Sequence, residues 1–121
     1  MDEKNNIIKT KSFDFSVRIV KLYQHLIKEK KEFVLSKQIL KSGTSIGANV
    51  EEADAGISKA DFSAKISISF KESRETIYWL RLLYTTEYID KKMFNSLLSD
   101  CEELCKILFS ILKTTRINKK E

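Results

Sequence analysis

The residue types that most often carry catalysis or bind metals are scarce in this 121-residue chain. It contains one histidine, His25, and two cysteines, Cys101 and Cys105, which stand four residues apart. Zinc sites and histidine-dependent triads need more of these groups, and a di-iron bundle needs a glutamate where this chain has Leu22. We therefore expect His25 at a helix surface or boundary, both cysteines in the core, and no metal or cofactor.

Carboxylates offer a second possible chemistry, because two of them close together can act as general acid and base. Lys65, Lys71 and Arg74 stand at helical spacing to neutralise such a cluster. No nucleophile–base pair, phosphate-binding loop or cofactor fingerprint accompanies it. The sequence therefore predicts ion pairs, no catalytic residues and no enzyme. The carboxylates concerned lie on the two central predicted helices: Glu51, Glu52, Glu72 and Glu75.

Length and composition describe the scaffold. The chain has 42% hydrophobic and 32% charged residues, three glycines and no proline, which favours long helices over turn-rich β structure. One hundred and twenty-one residues suffice for one hydrophobic core. The start does not resemble a signal peptide, and no apolar run approaches the ~20 residues that span a bilayer. We expect one soluble, cytoplasmic domain that makes no contact with a membrane.

Hydrophobic periodicity predicts four helices joined by short connections, which favours an all-α, antiparallel up-down-up-down four-helix bundle. Ser12 is expected to cap the first helix and Asp90 the fourth. The helices are predicted at about 12–30, 33–55, 59–88 and 91–117, with a flexible tail at 1–11 and a frayed end at 118–121. The buried face of the first helix is predicted to be Phe13, Val17, Val20, Gln24 and Ile27, widened by Ile19, Leu22, Tyr23 and Leu26.

The boundary between the second and third helices carries three local signals. Gly56 suits a left-handed C-terminal cap. Ser58 and Asp61 resemble a capping box, with Asp in place of the usual Glu or Gln. Ile57 and Phe62 have the spacing of a hydrophobic staple. Together these signals predict a helix end and a new helix start within a few residues.

The second predicted helix contains two glycines, Gly43 and Gly47, and each costs roughly 1 kcal/mol in a helix relative to alanine. They lie one turn apart on one face, where a second backbone can approach closely. The alternative is a loop that joins two short helices.

Aromatic side chains on the third helix exceed what one buried seam can hold. Tyr78, Trp79 and Tyr88 cannot all share that seam, and a surplus of apolar surface is typical of protein–protein interfaces. The small-residue face around Gly43 and Gly47 points the same way. The sequence therefore predicts a homo-oligomer whose interface involves these five residues.

The formal net charge is +5, which allows nucleic acid, an anionic membrane or an acidic protein as a partner, or only a solubilising surface. Alternating helix directions bring Lys28, Lys30 and Lys31 beside Lys91 and Lys92. No helix-turn-helix, RNA-recognition or zinc-finger signature is present, so we expect no sequence-specific reading of bases. The opposite end has the larger basic excess and is the first candidate for phosphate contacts: Lys9, Lys11, Lys113, Arg116, Lys119 and Lys120.

Three segments resemble a known bacterial four-helix bundle family, the 23S ribosomal RNA intervening sequence proteins. They are residues 38–53 (QILKSGTSIGANVEEA), 61–66 (DFSAKI) and 71–80 (KESRETIYWL). The resemblance extends over about residues 13–111. Ser69 and Ser73 depart from it, because small apolar residues are expected there.

The resemblance implies a homopentameric ring of bundles without an established catalytic activity. The chain is also similar to the accessory protein of diversity-generating retroelements, a basic pentameric bundle that binds nucleic acid and partners a reverse transcriptase. Two hypotheses follow. The first is an oligomer that binds RNA or DNA through phosphates, and the second is an oligomeric adaptor for a protein partner that does not bind nucleic acid.

Overall fold

Four helices form almost the whole chain in the computed structural model, which describes the backbone of residues 3–120 and the side chains of residues 3–115. The helices are α1 (Glu3–Lys28), α2 (Leu35–Asp54), α3 (Lys59–Thr85) and α4 (Lys91–Lys120), and no strand occurs in the described range. Both α1 and α3 pack against α2 and α4, so α1 and α3 occupy diagonal corners. The predicted antiparallel up-down-up-down bundle is confirmed.

The first helix begins nine residues before the predicted N-cap, so the flexible tail expected at 1–11 is wrong from Glu3 onward. Ile8 anchors the additional turns, because its side chain is 1% exposed in the core. Ser12 caps nothing: it is buried within α1, and its hydroxyl donates to the Lys9 carbonyl at 3.3 Å. At the other terminus α4 continues through Lys120, past the predicted start of fraying, and residue 121 lies outside the described residues.

The buried face of α1 also differs from the predicted one. Phe13, Val17 and Val20 are 63%, 40% and 39% exposed, although they were expected to form the main seam. A second row faces the core instead. It contains three residues that were predicted to widen the buried face, Ile19, Leu22 and Leu26, together with Ile8, Ser12 and Phe15. A helix turns by about 100° per residue, so the two rows lie on opposite sides of α1. We call Phe13, Val17 and Val20 the outer row.

The boundary signals are confirmed in part. The Ser58 hydroxyl accepts a hydrogen bond from the Asp61 backbone N–H at 3.0 Å, and the Asp90 carboxylate accepts one from Met93 at 2.8 Å. The left-handed cap at Gly56 is wrong, because no glycine in the described range has a positive φ. The staple is wrong as well, because the Ile57 side chain is 97% exposed.

The two glycines of α2 face α1 inside the bundle, and α2 is continuous through both. A Cβ added at Gly43 would lie 2.7 Å from Ile19 Cγ1, and one added at Gly47 would lie 3.2 Å from the Ser12 carbonyl oxygen. The expected close backbone approach therefore exists, but α1 of the same chain fills it. This corrects the assignment of Gly43 and Gly47 to an interface between copies.

Small hydroxyl side chains bring α3 close to α2. The Thr76 hydroxyl donates to the Ser42 hydroxyl at 2.9 Å, and the Ser69 hydroxyl donates to the Ile46 carbonyl at 2.8 Å. All three hydroxyl side chains are completely buried. Because each hydroxyl that donates has a partner, the core avoids the penalty of an unsatisfied polar group. Ser69 therefore fits its position although it departs from the family pattern.

We expect Gly43→Ala to lower the free energy of unfolding by about 1–3 kcal/mol, because overpacking against Ile19 outweighs a gain of roughly 1 kcal/mol in helix propensity. Urea denaturation measures the change. In an Ile19→Ala background the same substitution should become neutral or stabilising, because the new methyl group then enters a cavity. Stabilisation by Gly43→Ala in the unmodified chain would contradict this account.

Candidate functional site

The single histidine and the two cysteines lie on different helices, α1 and α4. His25 is half-buried in the last turn of α1. Cys101 and Cys105 lie on α4 and are free thiols buried in the bundle core, as predicted. Cys105 contacts the Ser73 hydroxyl at 2.9 Å, and Cys101 donates to the Ser73 carbonyl at 3.3 Å. A hydrogen bond with Cys105, together with burial, raises the pKa of the Cys101 thiol, which keeps it protonated and unreactive.

The carboxylates of α2 and α3 do not form a catalytic pair. Glu52 pairs with Lys65 at 3.5 Å, as predicted from the sequence. Lys71 and Arg74 form no ion pair within residues 3–115 of one chain, and their pairing across an interface between copies stays a prediction. Burial, followed by the neighbouring Glu75 charge, raises the pKa of Glu72. Among the described residues, no group of three or more His, Cys, Asp or Glu could hold a metal ion.

Some lysines of the basic end that was predicted to contact phosphates already form ion pairs. Lys9 pairs with Asp54 at 2.8 Å and with Glu51 at 3.7 Å, and Lys11 pairs with Glu103 at 3.2 Å. The Asp54 carboxylate, through a hydrogen bond and its charge, raises the pKa of Lys9. Lys113 is exposed, with its ammonium 5.8 Å from the centre of the Phe109 ring. The side chains of the remaining candidates lie outside the described residues: Arg116, Lys119 and Lys120.

The three predicted interface aromatics have different environments. Tyr78 is 54% exposed on the outer side of α3. Trp79 is half-buried, packs edge-on against Tyr78 with ring centres 5.0 Å apart, and donates through Nε1 to Glu75 at 3.1 Å. Tyr88 is half-buried in the connection after α3 and packs against the core. Tyr78 therefore has the largest solvent-exposed fraction of the three side chains.

The outer row of α1 is an apolar surface that the sequence interpretation placed in the core. Phe13 is the most exposed of its members, at 63%. One signal could have revealed the row: α1 has more apolar residues than one helix face can bury. The same surplus of apolar residues on α3 predicts an interface, and on α1 it has the same meaning.

The bundle end formed by the α1–α2 connection (29–34) and the α3–α4 connection (86–90) carries a further feature, and we call it the loop end. The buried Glu32 carboxylate accepts backbone N–H hydrogen bonds from Val34, Leu35 and Ser36 at 3.0, 2.9 and 2.6 Å. Lys31 adopts a left-handed conformation, with φ of 53°, immediately before it. Glu32 thus caps α2, although it stands two residues before the N-cap Val34. This role was not predicted from the sequence because Glu32 lies within a run of charged residues.

The N-terminus of α1, the α2–α3 connection and the last described turns of α4 surround a cavity of about 1020 Å³ at the opposite end of the bundle. Its walls include the apolar Phe62 and Ile111 beside the basic Lys4 and Lys59. None of the described residues that line it is a histidine or a cysteine.

Comparison with known proteins decides the family. The model of the family described as "23S rRNA-intervening sequence protein" matches residues 4–110. The chain belongs to this family. A crystal structure from Bacteroides thetaiotaomicron VPI-5482, described as a protein with unknown function from the S23 ribosomal protein family, is 55% identical. The similarity covers 91% of this chain and 98% of that chain, with a TM-score of 0.90. No curated protein matches the chain.

Within the described part of this family member, no helix combines the length and the apolar character needed to cross a bilayer. The family match begins within the first two turns of α1, inside the segment that was expected to be a flexible tail. The early helix start is therefore consistent with the range of the family model.

We expect Glu32→Gln to lower the free energy of unfolding at pH 7 by about 1–2 kcal/mol, because it removes a charged helix cap. Burial opposes the charge of Glu32, but the three backbone hydrogen bonds outweigh it and lower its pKa below the ordinary value of 4.5. Its stabilisation is therefore present above that value and is lost as the pH falls through the lower pKa of the folded state.

The measurement is urea denaturation at several pH values. The difference between Glu32→Gln and the unmodified chain should shrink at acidic pH. Glu29→Gln is the matched control, because Glu29 is exposed in the same connection. A pH-independent difference, or an equal loss from Glu29→Gln, would contradict the charged cap.

Proposed function

We propose that this family member is a non-enzymatic cytoplasmic protein that self-associates into a ring of bundles and binds RNA or DNA without reading bases. The observation that carries the proposal is the outer row of α1, an exposed apolar surface on the side of the helix opposite its core face. A monomer of 14.1 kDa gains nothing from exposing such a row, whereas an interface buries it.

The position of a second apolar surface supports a ring. Ile68 and Tyr78 are 42% and 54% exposed on α3, which lies diagonally across the bundle from α1. The outer sides of diagonal helices point in opposite directions. Contact between two different surfaces of neighbouring copies is heterologous, and such contacts close into rings when the rotation between copies permits. Five copies, the number that the family resemblance implies, would have a mass of about 70 kDa.

The charge balance supports nucleic acid as the partner. Each copy carries a formal net charge of +5, and a ring multiplies this charge and any weak phosphate contact. Among the described side chains of the predicted basic cluster, Lys113 is exposed and forms no ion pair, whereas Lys9 and Lys11 pair with carboxylates. The absence of a nucleophile–base pair in the sequence favours a binding role over catalysis.

The second candidate function is an oligomeric adaptor for a protein partner. Exposed Tyr78 beside half-buried Trp79 favours it, because aromatic residues are enriched at the centres of protein interfaces. In that case Trp79→Ala would abolish capture of the partner, whereas neutralising the basic C-terminal residues would leave it unchanged.

We expect Val17→Glu to reduce the light-scattering mass from about 70 kDa to about 14 kDa, because the new carboxylate would be buried against an apolar surface of the next copy. Asn95→Glu is the matched control. It adds the same charge at an exposed position of α4, a helix that carries neither of the two proposed surfaces, and should leave the mass unchanged. An oligomer that tolerates Val17→Glu would exclude the outer row as the interface.

A mixing experiment tests the heterologous arrangement. Tyr78→Glu should also give monomers, but each variant retains the surface that the other has lost. An equimolar mixture of Val17→Glu and Tyr78→Glu should therefore form dimers of about 28 kDa. If the outer row instead contacted its own counterpart in another copy, Tyr78→Glu alone would already form dimers, and adding Val17→Glu would produce no new complex.

A further inference from the structure

Two apolar side chains are held in solvent at the loop end. Phe33 and Val34 are 54% and 70% exposed, directly between the buried Glu32 and the first residue of α2. The backbone N–H of Glu32 donates to the Leu26 carbonyl at 3.0 Å, and its carboxylate caps α2. The connection is therefore anchored on both sides, and an exposed phenylalanine is presented from a fixed backbone.

Unpaired lysines are concentrated at the same end of the bundle. Within residues 3–115, none of the lysines around the loop end forms an ion pair, in contrast to Lys9 and Lys11 at the opposite end. Two of the four nearby carboxylates, Glu32 and Asp90, accept hydrogen bonds from the first backbone N–H groups of α2 and α4. The exposed lysines are Lys28, Lys30, Lys31, Lys37, Lys91 and Lys92.

These features together fit a polyanion that also carries flat apolar groups. Lysines contact phosphates without regard to base sequence, and an aromatic ring stacks on any unpaired base. In a duplex the bases already stack on one another, so Phe33 would have no partner there. An anionic membrane would meet the same lysines, but Phe33 and Val34 alone offer little apolar area for insertion.

We infer that the loop end is a binding site for single-stranded nucleic acid, in which Phe33 stacks on an unpaired base while lysines at the loop end contact the flanking phosphates. This inference rests on the nucleic-acid binding proposed above and relocates its principal site from the C-terminal basic cluster to the loop end. In a closed ring, every copy would present one such site on the same face.

Fluorescence anisotropy of labelled oligo(U) and oligo(dT) of about 20 nucleotides, and of a duplex of equal length, tests the site at about 50 and 200 mM salt. Phe33→Ala in the full-length oligomer should weaken single-strand binding by about 5- to 100-fold and duplex binding by less than about twofold. The matched control is Phe109→Ala, which removes a similarly exposed phenylalanine beside Lys113 at the opposite end. It should change neither affinity.

Two charge variants separate the two ends of the bundle. Replacing Lys30, Lys31, Lys91 and Lys92 with Gln should weaken binding of every polynucleotide and flatten its salt dependence. The comparison variant removes the same number of charges from the C-terminal cluster and should retain most of the affinity. Its substitutions are Lys113→Gln, Arg116→Gln, Lys119→Gln and Lys120→Gln. Thermal melting followed by circular dichroism verifies that each variant is folded.

The possible results distinguish failure of the loop-end site from failure of the proposed nucleic-acid binding. Loss of binding in the C-terminal variant alone would overturn the loop-end site while leaving the proposed nucleic-acid function intact. Failure of the unmodified chain to bind any oligonucleotide at about 50 mM salt would overturn both. Binding to vesicles containing phosphatidylserine, lost with Phe33→Ala and unaccompanied by oligonucleotide binding, would replace the inference with a membrane site. Equal losses from Phe33→Ala and Phe109→Ala would also overturn it.

Discussion

The close packing of α2 against both of its neighbours is the constraint on which the rest of the bundle depends. Gly43 and Gly47 bring α1 so near that no Cβ fits at Gly43 without displacing Ile19. On its other side α2 meets α3 through Ser42 and Thr76. Protein interiors are packed too densely to absorb larger side chains at such contacts. The small-residue motif that carries the family resemblance is therefore explained by packing within one chain.

This packing determines which surfaces remain for partners. Once Ile8, Phe15 and Ile19 face α2 and the core, the opposite side of α1 must present its apolar outer row to solvent. Because α1 and α3 occupy diagonal corners, the outer row and the surface around Tyr78 lie on opposite sides of the bundle. Both proposed association surfaces follow from the interior arrangement, and neither depends on the glycines that the sequence suggested.

The two ends of the bundle differ in how their charges are used. At the end formed by the start of α1 and the last described turns of α4, carboxylates of α2 and α4 pair with Lys9 and Lys11, so these lysines are occupied. At the loop end, Glu32 and Asp90 are committed to helix N-termini, and the surrounding lysines remain unpaired in the described range. The number of basic residues in the sequence favours the first end as the phosphate-binding site. The number of lysines without an ion pair among the described residues favours the loop end.

The sequence by itself determined the four helices, the caps at Ser58 and Asp90, the buried cysteines and the bundle topology. These features rest on local periodicity and short connections, which neighbouring residues encode. Only the tertiary structure decided which row of α1 is buried, because the outer row and the core-facing row that begins at Ile8 both follow the helical period. It also decided that Gly43 faces α1 and which lysines have partners. These outcomes depend on contacts between residues far apart in the chain, and a one-dimensional pattern does not contain them.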